Sequence, residues 1–383
     1  MICRDATSFS PSEASGAASC EKLRVLLVCS YQWWRALEGY SARIAEGLIA
    51  RGHEVHFAVR RGSKIEAAMK ERGIRTLPVA PRNVVDLPAA LRLAWALRTG
   101  GYHLAHAQYT RDYGPVVFAG RLAHVPVVLT RHVVSMTSAR RIRSMKRASR
   151  VIAVSEAVRT ILTDQFGLSK DLVVTAYAGL DPSRFQPLTG PRQELPRLGI
   201  AQDVPVFGMV TRVEDVKRLD TFIRAAAILK EKHPSARYVI VGAGDIGTYE
   251  ALARELGVAD DVLLTGYAAD SAALLREFNA FVAPGELEAF SAAILEAMGC
   301  AVPVLASRKG GNVEAVVEGE TGLLFPVGDE AALAAAMQTI VENPEQARKW
   351  GAAGRLRLET KFNLKNELDS IERIYREVGA RQS

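Results

Sequence analysis

The sequence predicts an α/β protein with two Rossmann-like domains, each a doubly wound parallel sheet, facing each other across a cleft. Three observations support this prediction. Short apolar, β-branched runs alternate with helix-like stretches along most of the chain, which is the pattern of βαβ units. A segment rich in Pro and Gly interrupts the alternation near the middle. The length of 383 residues exceeds that of one typical domain.

The first domain is predicted at residues 23–185. Its strands are expected at 23–30, 53–59, 102–108, 126–132, 150–155 and 172–178, and its first helix at 41–51, before Gly52. Residues 1–22 are rich in Ser and Ala and contain no apolar stretch of signal-peptide type. They are therefore expected to form a disordered tail.

The linker is predicted at residues 186–203, which contain Pro187, Gly190, Pro191 and Pro196. The second domain follows at 204–362, with strands expected at 204–211, 238–242, 262–266, 280–284, 303–307 and 322–326. From residue 330 onward the chain is predicted to be mostly helical, and residues 363–383 form the last helical segment.

Charge is divided unevenly between the two halves. Residues 1–200 have a net charge of +14 and residues 201–383 a net charge of −7. No acidic residue occurs between 113 and 155, where the spacing of four arginines predicts one helical face: Arg140, Arg143, Arg147 and Arg150. This face is either simply solvated, or it meets an anionic acceptor or an anionic membrane surface. No nucleic-acid-binding motif accompanies it, so a nucleic acid partner is not expected.

The cysteines and the hydropathy pattern indicate the compartment. The four cysteines show neither metal-ligand spacing nor a disulfide framework, which fits a reducing environment. No apolar run approaches the roughly 20 residues of a transmembrane helix. The sequence therefore predicts a cytoplasmic protein that could lie peripherally on the inner face of the cytoplasmic membrane.

A glycine-rich turn follows the strand predicted at 238–242. Residues 242–247 match G-x-G-x-x-G, a pattern that can bind a dinucleotide. That function also needs an acidic residue at the end of the next strand, and this strand ends in Thr265-Gly266-Tyr267. No nicotinamide or flavin cofactor is therefore expected. Gly242 is instead predicted to form a turn beside another phosphate ligand.

Two glutamates stand out between residues 281 and 308. Glu288 precedes a helix expected to begin at Phe290, and Glu296 lies eight residues later, so both carboxylates could face one edge of the cleft. Glu288 could also be an ordinary helix N-terminal charge. A carboxylate at Glu296 is costly in so apolar a helix unless it is paired or binds a ligand.

This region resembles a known family. Pro284, Glu288-Ala289-Phe290, Glu296-Ala297-Met298 and Pro303-Val304 are similar to the E-x7-E element of the retaining glycosyltransferases of the GT-B fold, in the sucrose synthase-like and lipopolysaccharide glycosyltransferase-like family (glycosyltransferase family 4 type). The resemblance covers roughly residues 23–375. It implies that Glu288 binds the donor sugar, that Glu296 binds the nucleotide ribose, and that three backbone amides face the donor diphosphate: those of Phe290, Ser291 and Ala292.

Other family elements follow in the same order. Gly208 to Lys217 resembles G-R-x-x-x-x-K-G, which implies that Arg212 and Lys217 neutralise the diphosphate, with Arg218 in place of the last glycine. The resemblance also places His132 beside the transferred sugar. His106 ends another strand and is either structural or on the acceptor side.

One departure concerns the first domain. The family commonly has a Gly-Gly pair before the first helix, where this chain has Arg35-Ala36, so Gly39 is the remaining candidate for a donor contact. No D-x-D motif occurs, and a metal-bridged diphosphate is not expected. The last helix is expected to cross back to the first domain, as in the family.

The resemblance implies a retaining, metal-independent transferase. It would move a sugar from a nucleotide-diphosphate sugar to a cell-envelope glycan or lipid-linked acceptor, such as lipopolysaccharide or a related polysaccharide. The nucleotide sugar is a co-substrate, and no cofactor is expected. Two alternatives remain open: a nucleotide-sugar epimerase of the same fold, and a non-catalytic protein that binds a nucleotide sugar.

Overall fold

Two parallel sheets, each covered by helices on both faces, form the molecule and confirm the predicted fold class. The computed structural model describes residues 22–33, 36–83, 86–268 and 270–380. The strands of the first sheet are β1 (Arg24–Val28), β2 (Glu54–Ala58), β3 (Thr76–Leu77), β4 (Leu104–Ala107), β5 (Val127–Arg131), β6 (Arg150–Ala153) and β7 (Val173–Thr175). Those of the second are β8 (Val206–Val210), β9 (Arg237–Val241), β10 (Val262–Gly266), β11 (Ala280–Ala283), β12 (Val304–Ser307) and β13 (Gly322–Phe325).

Both sheets have a doubly wound strand order. The first runs β3-β2-β1-β4-β5-β6-β7 and the second β10-β9-β8-β11-β12-β13, with parallel neighbours throughout. Each strand predicted from the sequence is present. The edge strand β3 was not predicted, because two residues are too few to show an alternating pattern.

Six helices belong to the first sheet. They are α1 (Ala36–Ala50), α2 (Lys64–Glu71), α3 (Leu87–Thr99), α4 (Tyr113–Ala123), α5 (Ala139–Met145) and α6 (Glu156–Thr160), the last continuing as a π-helical turn over Ile161–Gln165. Helices α3 to α6 bury apolar side chains on one face of the sheet. Helices α1 and α2 cover the other face.

The second sheet is enclosed in the same way. Its helices are α7 (Glu194–Arg197), α8 (Leu219–Lys230), α9 (Gly247–Glu255), α10 (Ser271–Leu275), α11 (Ala292–Gly299), α12 (Asn312–Ala315), α13 (Glu330–Glu342) and α14 (Pro344–Thr360). Helices α8, α9 and α13 pack on one face, and α7, α10, α11 and α12 pack on the other. Short α7 lies inside the predicted linker, where the Glu277 carboxylate accepts hydrogen bonds from its first amides.

The last helix, α15 (Leu364–Gly379), packs on the first sheet beside α1. Its Tyr375 hydroxyl is 2.6 Å from Nδ1 of His106 on β4. A backbone bridge between Leu180 and Asn363 joins the two crossing segments just before this helix begins. The chain therefore ends on the sheet with which it began.

Two predicted helix starts differ from the structure. The first helix begins at Ala36 rather than at residue 41, and α11 begins at Ala292 rather than at Phe290. Glu288 therefore lies in a loop, and the helical-angle argument that related it to Glu296 does not hold. The predicted disordered tail lies outside the described residues except for Lys22, and so does Arg35.

Candidate active site

The strand orders show where each sheet offers a ligand site. The chain turns to opposite sides after β1 and β4 in the first sheet, and after β8 and β11 in the second. Ligands of doubly wound sheets bind at the carboxyl ends of strands beside such switch points. The predicted site residues follow these strands or their neighbours: Gly39 after β1, His132 after β5, Arg212 and Lys217 after β8, Gly242 after β9, and Glu288 after β11.

An ion pair connects the two loops at the switch point of the second sheet. The Lys217 ammonium lies 2.5 Å from Oε1 of Glu288, and the two side chains are only 22% and 12% exposed. A cation suits a phosphate group and a carboxylate suits sugar hydroxyls. Two residues predicted from separate sequence elements thus lie in contact, 71 positions apart along the chain.

The Arg212 side chain is at the surface of the same loop. It is 65% exposed and pairs with the carboxylate of Glu214. A diphosphate bound beside Lys217 would compete with Glu214 for this guanidinium. Arg212 therefore lies on the loop that also carries Lys217, with its guanidinium paired to Glu214.

The backbone conformation of Arg218 shows why the family motif G-R-x-x-x-x-K-G usually has a glycine at this position. Its backbone has φ 54° and ψ 47°, the left-handed region that side chains disfavour and glycine adopts freely. The Arg218 guanidinium is held by two carboxylates, at 2.9 Å from Asp220 and 3.6 Å from Glu286. These ion pairs fix the loop that carries Lys217.

The glycine-rich turn after β9 is a close backbone contact. A Cβ added to Gly242 would lie 1.6 Å from the carbonyl oxygen of Thr211, and one on Gly244 would lie 2.5 Å from Val213. The amide of Val213 also donates to the carbonyl of Ala243. The glycines therefore let this turn pack directly against the loop of Arg212.

Helix α11 begins at Ala292, four residues after Glu288. Ser291 is its N-cap residue, and the Ser291 side chain makes no capping hydrogen bond. The first amides of a helix have no partner within the helix, and together with the helix dipole they favour an anion. The predicted amides of Phe290, Ser291 and Ala292 thus lie at or just before a helix N-terminus. The Phe290 ring itself packs against Tyr177 and Phe362.

A second glycine pair supports the loop of Glu288. Gly310 has φ 54°, and a Cβ there would lie 2.0 Å from the Glu288 carbonyl oxygen. A Cβ on Gly311 would lie 2.1 Å from the carbonyl oxygen of Ala289, and the Gly311 amide donates to Glu288 over 2.9 Å. Larger residues at these positions would displace the loop of Glu288.

Glu296 lies inside α11 among buried neighbours. Burial raises the pKa of its carboxyl to about 7, and the guanidinium groups of Arg43 and Arg184 oppose this shift. Arg43 comes from α1 of the first sheet, so a charged group from the other half of the chain faces this carboxyl. The Arg43 Nε atom is buried and has no hydrogen-bond partner within the described residues.

His132 directly follows β5 in the first sheet. Its Nε2 lies 2.8 Å from Oε1 of Gln108, and its ring packs edge-on against Tyr40 of α1. Burial lowers the pKa of the imidazole to about 3, and the adjacent Arg131 charge also lowers it. His132 is therefore neutral near pH 7 and suited to hydrogen bonding rather than to donating a proton as an acid. Gly39 lies half-buried in the first turn of the same α1.

His106 serves the core of the first sheet. Both ring nitrogens have partners there, Nδ1 with the Tyr375 hydroxyl at 2.6 Å and Nε2 with the Thr130 hydroxyl at 2.7 Å. Burial lowers the pKa of this imidazole to about 3. Of the two interpretations that the sequence left open, the structural one accounts for both nitrogens.

The predicted arginine face is only partly helical. Arg140 and Arg143 lie on α5, but this helix ends at Met145, and Arg150 is the first residue of β6, where it is buried. The prediction of one helical face with Arg147 and Arg150 is therefore wrong. Its cause is the amide of Ser149, which pairs with the Val127 carbonyl and starts the strand.

Arg147 and Arg150 instead line a cavity of about 780 Å³, together with Arg121 and His124. This cavity is at the amino ends of β5 and β6. The cleft lies at the opposite edge of the sheet, where the strands end. These two arginines therefore do not reach an acceptor in the cleft.

Sequence reasoning missed Arg43 and the role of Glu314. The Glu314 carboxylate accepts hydrogen bonds from the amides of Glu156 and Ala157 at 2.8 and 2.7 Å, so it caps α6 from the other half of the chain. A signal for Arg43 was present, since it is the only charged residue of α1 between Glu38 and Glu46. No local pattern identifies the distant partner of either residue.

The described residues contain neither a cluster of metal ligands nor a helix that could span a membrane. Across residues 22–33, 36–83, 86–268 and 270–380, no three His, Cys, Asp or Glu side chains are grouped as a metal-ligand set. In the same part of the chain, no helix is both long and apolar enough to cross a bilayer.

Two protein-family models match this chain, one in each half. The model described as Glycosyltransferase Family 4 matches residues 37–184, and the model described as Glycosyl transferases group 1 matches residues 192–357. The first half of the chain thus contains a glycosyltransferase family 4 domain, and the second half contains a group 1 glycosyltransferase domain. The two matches fall on the two sheets described above, and the resemblance found in the sequence is confirmed.

Individual proteins are similar to this chain over different lengths. EpsD of Bacillus subtilis is 31% identical over 200 residues, which are 51% of this chain and 52%, about half, of EpsD. The D-inositol 3-phosphate glycosyltransferase of Acidothermus cellulolyticus is 28% identical over 89% of this chain and 85% of that protein. The crystal structure of Anabaena HepE in complex with UDP superposes with a TM-score of 0.83 at 21% identity, covering 93% of this chain and 100% of that one. This last likeness shows the shared GT-B fold.

Proposed function

We propose that this protein moves a sugar from a nucleoside diphosphate sugar to a glycan or lipid-linked acceptor of the cell envelope, such as lipopolysaccharide or a related polysaccharide. The proposed transfer retains the anomeric configuration and needs no metal ion. The observation that carries the donor assignment is the partly buried pair of Lys217 and Glu288 beside the amino end of α11.

The leaving diphosphate defines what the site has to stabilise. During transfer the bond from the sugar C1 to the phosphate oxygen breaks, and a bond from C1 to the acceptor oxygen forms. The proton of the acceptor hydroxyl passes to the leaving phosphate oxygen on the same face of the sugar. Negative charge grows on the diphosphate, where Lys217, Arg212 and the first amides of α11 would stabilise it. These groups supply the positive charge that a divalent ion could otherwise provide.

The two glutamates have separate proposed roles. Glu288 would exchange its ion pair with Lys217 for hydrogen bonds to the donor sugar and hold C1 in place, without attacking it. Glu296 would bind the ribose hydroxyls, and these hydrogen bonds would offset the cost of a carboxylate in an otherwise apolar helix. From the first sheet, His132 would contact the transferred sugar as a neutral hydrogen-bonding group.

UDP-glucose is the first donor to test. Anabaena HepE, which shares the fold, has been crystallised in complex with UDP and in complex with UDP-glucose. For the acceptor, the net charge of +14 over residues 1–200 favours an anionic molecule. The name of the Acidothermus relative also refers to a phosphorylated acceptor.

One assay separates the proposal from its two rivals. The protein is incubated with UDP-, GDP- or ADP-sugars, labelled in the sugar, and with a membrane extract. Label in lipid or glycan supports transfer, whereas an altered free nucleotide sugar supports an epimerase, and binding without either product supports a non-catalytic binder.

The variant Glu288→Gln tests the site itself. It should lose at least about 10²-fold in transfer rate, because positioning of the sugar is lost while the shape of the loop is kept. Glu345→Gln, at an exposed glutamate on α14, is the matched control and should keep the wild-type rate. Unchanged transfer by Glu288→Gln would contradict the assignment. Addition of EDTA should not reduce the rate, and a loss restored by Mg²⁺ would contradict metal independence.

A further inference from the structure

Exposed apolar side chains are concentrated on one part of the first domain. Fifteen large apolar side chains are exposed in the described part of the chain, and seven of them lie between residues 87 and 136. Five belong to the neighbouring helices α3 and α4: Leu87, Leu91, Trp95, Phe118 and Leu122. We call these five the apolar face. Trp95 is 71% exposed, which is unusual for so large an apolar group.

The apolar face follows helical geometry. Leu87, Leu91 and Trp95 are spaced by four residues, so each is rotated by only about 40° from the last along α3. The opposite side of α3 buries Leu93 and Leu97 in the core of the domain. Phe118 and Leu122 repeat the same spacing on α4, which packs beside α3 in the same layer. The two helices thus present apolar side chains on their outer as well as their inner sides.

The charge around this face is mainly positive, apart from Asp86, which caps the start of α3 and interacts with Arg92. From residue 87 to residue 155 the chain has eleven Lys or Arg and one acidic residue, Asp112, which is buried. Arg92 and Arg98 are exposed on α3, and Arg121 is exposed on α4. None of these three forms an ion pair within the described residues. The face is therefore apolar with a rim of mainly positive charge.

We propose that the apolar face inserts into the interfacial layer of an anionic lipid bilayer, with the surrounding arginines at the level of the lipid headgroups. Helices with Trp and Leu on one side and arginines beside them bind at this depth, and Trp favours the interface itself. We assign a bilayer as the partner of the apolar face because the surrounding positive charges complement anionic lipid headgroups. The sequence offered the arginines from Arg140 to Arg150 as a solvated face, an acceptor surface or a membrane surface, whereas the membrane contact proposed here is on α3 and α4.

Binding to a bilayer would bring the protein to a lipid-linked acceptor. Only this link to the acceptor rests on the proposed function. Vesicle binding needs no sugar transfer, and transfer to a soluble acceptor needs no vesicle. The two can therefore fail separately.

Co-sedimentation of the full chain with vesicles tests the proposal. The wild type should bind vesicles of phosphatidylcholine with phosphatidylglycerol more tightly than phosphatidylcholine alone. The double variant Leu91→Ser/Trp95→Ser should bind at least about tenfold more weakly, because it removes most of the inserting apolar surface of α3. The matched control is Leu356→Ser on α14, where the leucine is also exposed, and it should bind as the wild type does.

The charge rim is tested separately. Arg92→Gln/Arg98→Gln should weaken binding to the anionic vesicles by roughly fivefold for each charge removed and should leave binding to neutral vesicles unchanged. Arg348→Gln/Lys349→Gln, at exposed positions on α14, is the control and should change neither.

Fluorescence locates the contact. Lipids with brominated acyl chains should quench part of the tryptophan emission of the wild type. In Trp95→Phe, which keeps the apolar surface, this quenching should disappear although the protein still binds.

Failure of the wild type to bind anionic vesicles at low salt would overturn the proposal, as would equal binding by the double variant. A dimer in lipid-free solution that Leu91→Ser/Trp95→Ser dissociates would assign the face to a second copy instead.

Discussion

Replacing Glu296 by Gln should stabilise the folded protein at neutral pH and leave its stability nearly unchanged at acidic pH. Burial raises the pKa of this carboxyl from 4.5 to about 7 in the folded protein. The folded state therefore binds the proton more tightly than the unfolded state does. Below about pH 4.5 both states are protonated and the group costs nothing, whereas stability is lost as the pH rises toward 7.

The size of the expected stabilisation follows from the pKa shift of Glu296. A change of this size corresponds to about 3 kcal/mol of unfolding free energy at pH 7 and above, at roughly 1.4 kcal/mol for each pKa unit. Gln cannot ionise, so Glu296→Gln should recover most of this energy. The attraction of Arg43 and Arg184 for the charged form is already contained in the shift.

The assay is urea unfolding of both proteins between about pH 5 and pH 8, followed by circular dichroism. The difference in unfolding free energy should grow with pH and level off above about pH 7. Glu345→Gln, at an exposed site, should show no such trend. A difference that is the same at every pH, or a variant that is less stable than the wild type at pH 8, would refute the reasoning. UDP affinity should fall in the variant although its stability rises, as expected where a residue serves binding at the expense of stability.

Two further substitutions test other contacts. Lys217→Met should lower the transfer rate by about 10²-fold, since it removes a charge from the leaving diphosphate and leaves Glu288 without its cation, and steady-state kinetics with a saturating donor measure this. A rate within about twofold of the wild type would show that Lys217 does not act on the diphosphate. Glu314→Ala should reduce the unfolding free energy by about 2 kcal/mol, because it removes the carboxylate cap from the amides of Glu156 and Ala157. Urea unfolding checks this value, and unchanged stability would show that the cap contributes nothing.

Local patterns were sufficient to predict most of the fold. Apolar runs of four to eight residues between glycines and helical stretches identified twelve of the thirteen strands. The missed strand, Thr76–Leu77, is an edge strand of two residues. The arginines from Arg140 to Arg150 were misassigned for a related reason. Their spacing fits a helix, but pairing of Ser149 with Val127 on the neighbouring strand starts β6 there. Hydrogen bonds between residues distant in sequence can thus override the structure that a short repeat in the sequence predicts.

The candidate site likewise contains some residues that local motifs indicate and others that only long-range contacts bring together. Residues in continuous motifs, such as Glu288 and Lys217, could be predicted, because each motif carries its own chemistry. Arg43 could not be related to Glu296, since the two come from different sheets and only the docking of the two halves brings them together. The apolar face of α3 also went unnoticed, because a sequence alone does not show which side of an apolar helix remains exposed.

The most direct test of the proposed activity is the anomeric configuration of the first product formed from a UDP-α-sugar. Proton NMR during the reaction distinguishes α- from β-linked product by the coupling of the anomeric proton, before slower processes can change it. Retaining transfer at the site of Glu288 and Lys217 predicts an α-linked product that appears together with free UDP and is absent with Glu288→Gln. A β-linked product, or UDP binding without any transfer to acceptor, would contradict it.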